Sequence, residues 1–113
     1  MRADTAFMDC IHCYVPGWDF PKVSAREHLT EHFGLVSDFL AECWNKLRTG
    51  SRLSALQGRV NLGGALSGRD IEAVNKTVSG LVKLLYPDPA MTIPDADLEL
   101  IVRLALESRR RVK

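Results

Sequence analysis

No run of eighteen apolar residues occurs anywhere in the 113-residue chain, and its first ten residues, MRADTAFMDC, lack the apolar core of a secretory leader. The expectation is a cytoplasmic protein with no membrane contact. An excess of one charge is missing too: 15 basic residues stand against 14 acidic ones, a net charge of +1. Such a balance provides no global field for nucleic acid, so any DNA contact must come from a local patch. The one candidate patch is RRRVK at the C-terminus, with Arg109, Arg110, Arg111 and Lys113. Its commoner role is a solvated helix end, where positive charge suits the helix dipole. Cysteine is scarce and odd in number, three in all, which argues against a disulfide framework and for thiols, core residues or metal ligands. There is no internal repeat and no low-complexity segment.

What the chain does have is helical periodicity punctuated by glycine. In GLVSDFLAECWNKLRTG the apolar residues Leu35, Val36, Phe39, Leu40, Cys43, Trp44 and Leu47 recur at helical spacing up to Gly50. Cys43, mid-stripe, is expected to be a buried thiol. SAREHLTEHFG opens with Ser24 and Glu27 in capping-box register and stops at Gly34, which predicts a short helix with His28 and His32 on one face. SRLSALQGRVNLGG suggests two turns through Leu53, Leu56 and Val60. A second strong helix runs through SGRDIEAVNKTVSGLVKLLYP, capped by Ser67, with Ile71, Val74, Val78, Leu81, Val82 and Leu85 inward and Pro87 and Pro89 ending it. The last helix is expected to start at Asp95 as cap and to bury Leu98, Ile101, Val102, Ala105 and Leu106. The first third differs: Ile11, Tyr14 and Val15 precede Pro16-Gly17 and Pro21, predicting a short strand that enters a fixed loop. A lone strand needs a partner for its backbone groups. The fold class expected is therefore mainly α, a helical bundle with a short N-terminal strand and loop segment.

The stretch DCIHCYVPGWDFPKVSAREHLTEH sets Cys10 and Cys13 ahead of His28 and His32 at nearly the spacing of a Cys2His2 zinc site. Against it, Ala25 stands where such a finger carries a leucine, Pro16 and Pro21 interrupt the hairpin region, and His12 is a fifth possible ligand. A redox role for the Cys10 and Cys13 pair is weaker, because strand-like residues follow it rather than a helix start. No Gly-x-x-x-x-Gly-Lys-Ser/Thr loop, acidic strand end or Ser-Lys dyad is present, so the chain alone is expected neither to hydrolyse ATP nor to cleave peptides.

Four blocks carry a resemblance: IHCYVPGWDFPK, GLVSDFLAECWNKLR, GRDIEAVNKTVSGLVKLLYPD and LALESRRRVK. In this order they closely resemble the ATPase module of the Lon-like AAA+ proteins of bacterial BREX phage-defence systems, the BrxL family. The resemblance implies a homo-oligomeric ring using ATP with Mg in the parent assembly, with no cofactor expected for this chain alone. It implies that residues 1–23 close an AAA+ core, that residues 24–113 form the helical lid, and that the chain stops at a connection to a further domain. It also implies a nucleotide-sensing role for Arg69, at the start of a lid helix where a guanidinium and a helix N-terminus both favour phosphate oxygens. On the residues alone, Arg69 is more readily a solvated arginine in a first turn. Cys10 departs from the implied pattern: it stands where the resemblance calls for an arginine finger, and a thiol has neither the charge nor the forked donors for that task. Two other classes stay open. One is a stand-alone zinc-binding or DNA-binding regulator using Cys10, Cys13, His28 and His32; the other is a helical interaction module with an exposed apolar face.

Overall fold

The computed structural model describes residues 5–112. Its elements in chain order are α1 (Thr5–Cys10), α2 (Ala25–His28), α3 (Ser37–Arg48), α4 (Gly68–Leu85) and α5 (Asp95–Arg110), with 3-10 turns at Gly17–Asp19 and Leu53–Leu56. The fold is mainly α, as the periodicity requires.

The core lies between α4 and α5. Val74, Val78 and Val82 descend one face of α4 at intervals of four and meet Leu98, Ile101, Val102 and Ala105 of α5, with Ile93 closing the end. Ala55, Leu56, Val60 and Leu62 roof this cluster from the segment between α3 and α4. Burying each such side chain is worth roughly 1.5–3 kcal/mol, so the α4–α5 pair is the stable unit of the chain. Ser67 starts α4 as read from sequence: its hydroxyl accepts from the Asp70 amide at 3.2 Å and donates to the Asp70 carboxylate at 2.6 Å. The cap of α5 is Pro94, one residue earlier than expected; its carbonyl accepts from the Leu98 amide at 3.0 Å. Asp95 falls inside the first turn, where its carboxylate pairs with Arg59.

Three segments depart from the expected secondary structure. No strand forms among the described residues: positions 11–16 are loop. The end of α5 takes the place of a partner strand, because the Tyr14 amide donates to the Ser108 carbonyl at 3.1 Å and Arg109 donates to the Ile11 carbonyl at 2.5 Å. The helix expected from Ser24 to Gly34 stops at His28, where Leu29 turns extended (φ −98°, ψ 139°). The Ser24 side chain makes no cap bond; instead the Ser24 amide donates to His28 Nδ1 at 2.8 Å, so His28 folds back and His32 lies beyond the helix. The segment read as two turns through Val60 is one 3-10 turn, ended where Gln57 turns extended (φ −61°, ψ 126°), just before Gly58 at φ +72°.

α3 forms where its stripe predicts, but no residue in it is buried and Cys43 is only half-buried. Phe39 is 59% and Trp44 52% exposed. The stripe is real; its cover is not among the described residues.

Candidate functional site

The first turn of α4, the last turn of α5 and the α1 segment meet in one charged cluster. Arg109 lies on the inward stripe of α5 and is only 3% exposed. Its Nε donates to Asp70 Oδ1 at 3.0 Å, Nη1 to the carbonyls of Met8 at 3.0 Å and Ile11 at 2.5 Å, and Nη2 to Asp9 Oδ1 at 3.2 Å. The other oxygen of Asp9 accepts from Arg69 Nη1 at 2.7 Å. Two guanidinium groups thus face two carboxylates, and the planar forks fit the geometry that burying charge demands.

Arg69 differs from Arg109 in exposure: its side chain is 69% exposed and reaches Asp9 from the open side. The hydrogen bond to Asp9, and then the Asp9 charge, hold its pKa further above the ordinary arginine value. A permanent cation beside the N-terminus of an 18-residue helix can contact an anionic oxygen without giving up its own anchor. Cys10 ends α1 next to Asp9; it is exposed, and its thiol donates to the Ala6 carbonyl at 3.4 Å. The sensing candidate and the position expected to carry a finger are therefore neighbours across a single aspartate.

The basic run at the C-terminus does not act as one patch. Arg109 is turned inward, a correction to its place among DNA-facing residues, because its position continues the stripe of Leu98, Val102 and Ala105. Arg110 pairs with Glu107 at 2.9 Å; Arg111 pairs with Asp19 at 2.5 Å and with Glu107 at 3.2 Å. Hydrogen bonds from Arg110 and then Arg111 hold the Glu107 carboxyl below the usual range. Lys113 lies outside the described residues.

Cys10, Cys13, His28 and His32 are not gathered into a site. Among the described residues no three Cys, His, Asp or Glu side chains converge to hold a metal ion. His28 Nδ1 is occupied by the Ser24 amide, and the early end of α2 separates it from His32.

A family profile described as the ATPase domain of Lon-like protease BrxL-like proteins matches residues 1–113. The chain belongs to the BrxL ATPase-domain family. Among the similar BrxL proteins, Lon-like protease BrxL of Escherichia coli O9:H4 (strain HS) is 44% identical over 110 residues, 97% of this chain and 15% of the relative. Lon-like protease BrxL of Bacillus cereus (strain H3081.97) is 44% identical over 113 residues, 100% of this chain and 16% of the relative. The chain thus spans about one-sixth of the BrxL proteins it matches. Among the described residues no helix is long and apolar enough to cross a membrane.

Sequence reasoning missed Asp9, which joins Arg69 to Arg109, and the buried state of Arg109. A signal for the second was present: positions 98, 102, 105, 109 and 112 keep one helical face, and Val112 is buried as well.

Proposed function

We propose that this chain supplies the nucleotide-sensing edge and subunit contacts of an ATP-dependent, Lon-like ring in BREX phage defence. Residues 1–23 would complete the AAA+ core and residues 24–113 form its lid. The observation that carries the proposal is the placement of Arg69. It stands exposed in the first turn of α4, aimed by an aspartate that a buried arginine fixes in turn. The chain's residues fit one phosphate contact, through Arg69, and not a complete nucleotide cradle, since no phosphate-binding loop occurs in the sequence. ATP with Mg, when bound by the parent assembly, supplies the phosphoryl group and the charge that Arg69 would meet. Asp9 orients the guanidinium; Arg109 holds Asp9 and the α1 segment in place. Because Cys10 adjoins Asp9, Arg69 and position 10 would face the same phosphates at a boundary between subunits. The basic end of α5 is a weak DNA contact in this scheme, since Glu107 and Asp19 already balance Arg110 and Arg111.

The test uses a full-length ring protein carrying this segment. Arg69→Ala should lower steady-state ATP hydrolysis by about 10²-fold or more, and Cys10→Arg should raise it, by up to the order of 10³-fold for a restored finger. Hydrolysis indifferent to Arg69→Ala would refute the sensing role.

A further inference from the structure

At the far end of α4 from Arg69, fourteen residues or about 21 Å along the helix, a second cluster of cations surrounds an open pocket of about 490 Å³. Lys46, Arg52, Arg59 and Lys83 line it, with hydroxyls from Thr49 and Ser51, and no acidic residue is in its wall. We propose that this pocket binds a phosphate group, independently of the nucleotide-sensing edge.

The charge count supports an anion. Arg59 is neutralised by Asp95, whereas no ion pair among the described residues reaches Lys46, Arg52 or Lys83. Lys83 Nζ donates to the carbonyls of Gly50 at 3.0 Å and Arg48 at 3.4 Å, and Arg52 Nη2 donates to the Asp88 carbonyl at 3.2 Å. Carbonyl oxygens satisfy donors but carry no formal charge, so three positive charges remain around one concavity. The second observation is an orphan: Arg52 Nη1 is buried and has no hydrogen-bond partner among the described residues. Buried guanidinium nitrogens are ordinarily paired, and an unpaired one is costly. The rest of Arg52 is held, by its amide donating to Ser79 Oγ at 3.1 Å and by the Asp88 carbonyl. The orphan is thus a donor with unused capacity on a residue of the pocket wall. A tetrahedral phosphate suits a forked guanidinium and two flexible ammonium groups better than a planar carboxylate, which one fork alone would saturate.

The phosphate could belong to a nucleic-acid backbone or to a free polyphosphate, and two probes separate these sources. Amide and side-chain NMR shifts of this chain would be followed during titration with pyrophosphate at constant ionic strength, then with a short DNA duplex. Expected are shifts confined to Gly50–Arg52 and Lys83, weakened about tenfold by Lys83→Gln and measurably by Lys46→Gln. Among the described residues Lys46 makes no side-chain hydrogen bond or ion pair, so Lys46→Gln decides the matter if Lys83→Gln fails to fold. Saturable shifts with DNA that displace pyrophosphate assign a backbone phosphodiester; shifts with pyrophosphate alone assign a free polyphosphate. Absent shifts, shifts spread equally over Arg103 and Arg110, or binding unchanged in both variants would overturn the site.

Discussion

At the residue scale, two arginines on one aspartate illustrate how burial separates structure from chemistry. Arg109 is enclosed and fully engaged, and its removal would take from Asp70 and Asp9 the buried ion pair that each makes with it. Arg109→Leu should destabilise the chain by about 3 kcal/mol or more and expose the Ile11 region to hydrogen exchange, both readable by denaturant unfolding and amide exchange. Arg69 makes the same kind of bond at the surface, where solvent screening leaves little stability in it. Arg69→Ala should leave the unfolding midpoint nearly unchanged. Equal losses for the two variants would contradict the assignment of one as anchor and the other as sensor.

At the element scale, α4 depends on its cap and α5 on its packing. Ser67→Ala removes the hydroxyl that serves the Asp70 amide and should cost about 1 kcal/mol, measured as a lower unfolding midpoint with unchanged cooperativity. The last turn of α5 responds to acid. Glu107 has its pKa lowered in the folded chain, so its contribution is present above the unfolded value of 4.5 and is lost as pH falls through the lower folded value. The Arg110 and Arg111 contacts should persist at pH 5 and fade below 4.5, followed by the Glu107 carboxylate signal in an NMR titration. A Glu107 that titrates at or above 4.5 would show that these ion pairs do not form in solution. α3 has neither a side-chain cap nor a buried face, so it should be the first long helix to exchange its amides.

At the scale of the whole molecule, the chain exposes far more than a self-sufficient domain does. Its radius of gyration is 16.6 Å, against about 13 Å for a compact chain of this length. Its accessible surface is 9212 Å², against roughly 6,200 Å² for a folded monomer of this mass. Trp18, Phe39 and Trp44 contribute to the excess. Apolar surface of this extent marks contact with other protein. The isolated chain should therefore self-associate, and Phe39→Gln with Trp44→Gln should reduce that association in sedimentation while leaving the melting of the α4–α5 core nearly unchanged. A monodisperse monomer at high concentration would argue that the α3 stripe needs no cover.

Much of this was legible in order along the chain. Apart from Leu85, expected inward but 60% exposed, the stripes of α4 and α5, the Ser67 cap, the place of α3 and the first-turn position of Arg69 follow from spacing, because helical periodicity and capping are local and leave their mark in consecutive residues. The family was legible for the same reason, in short blocks kept in one order. Local rules failed wherever a distant partner decided the outcome. The Ile11–Val15 segment has strand-forming residues, yet the carbonyl of Ser108 and the fork of Arg109 take its backbone groups, from positions nearly a hundred residues away. The zinc-like spacing is not matched by convergence among the described residues, and His28 Nδ1 accepts from the Ser24 amide, a contact that spacing does not register. The pairing of Asp9 with both Arg69 and Arg109 came from tertiary packing alone. A hydrogen bond forms only where two groups are brought within about 3 Å, and for residues 60 and 100 positions apart only the packed fold can do that.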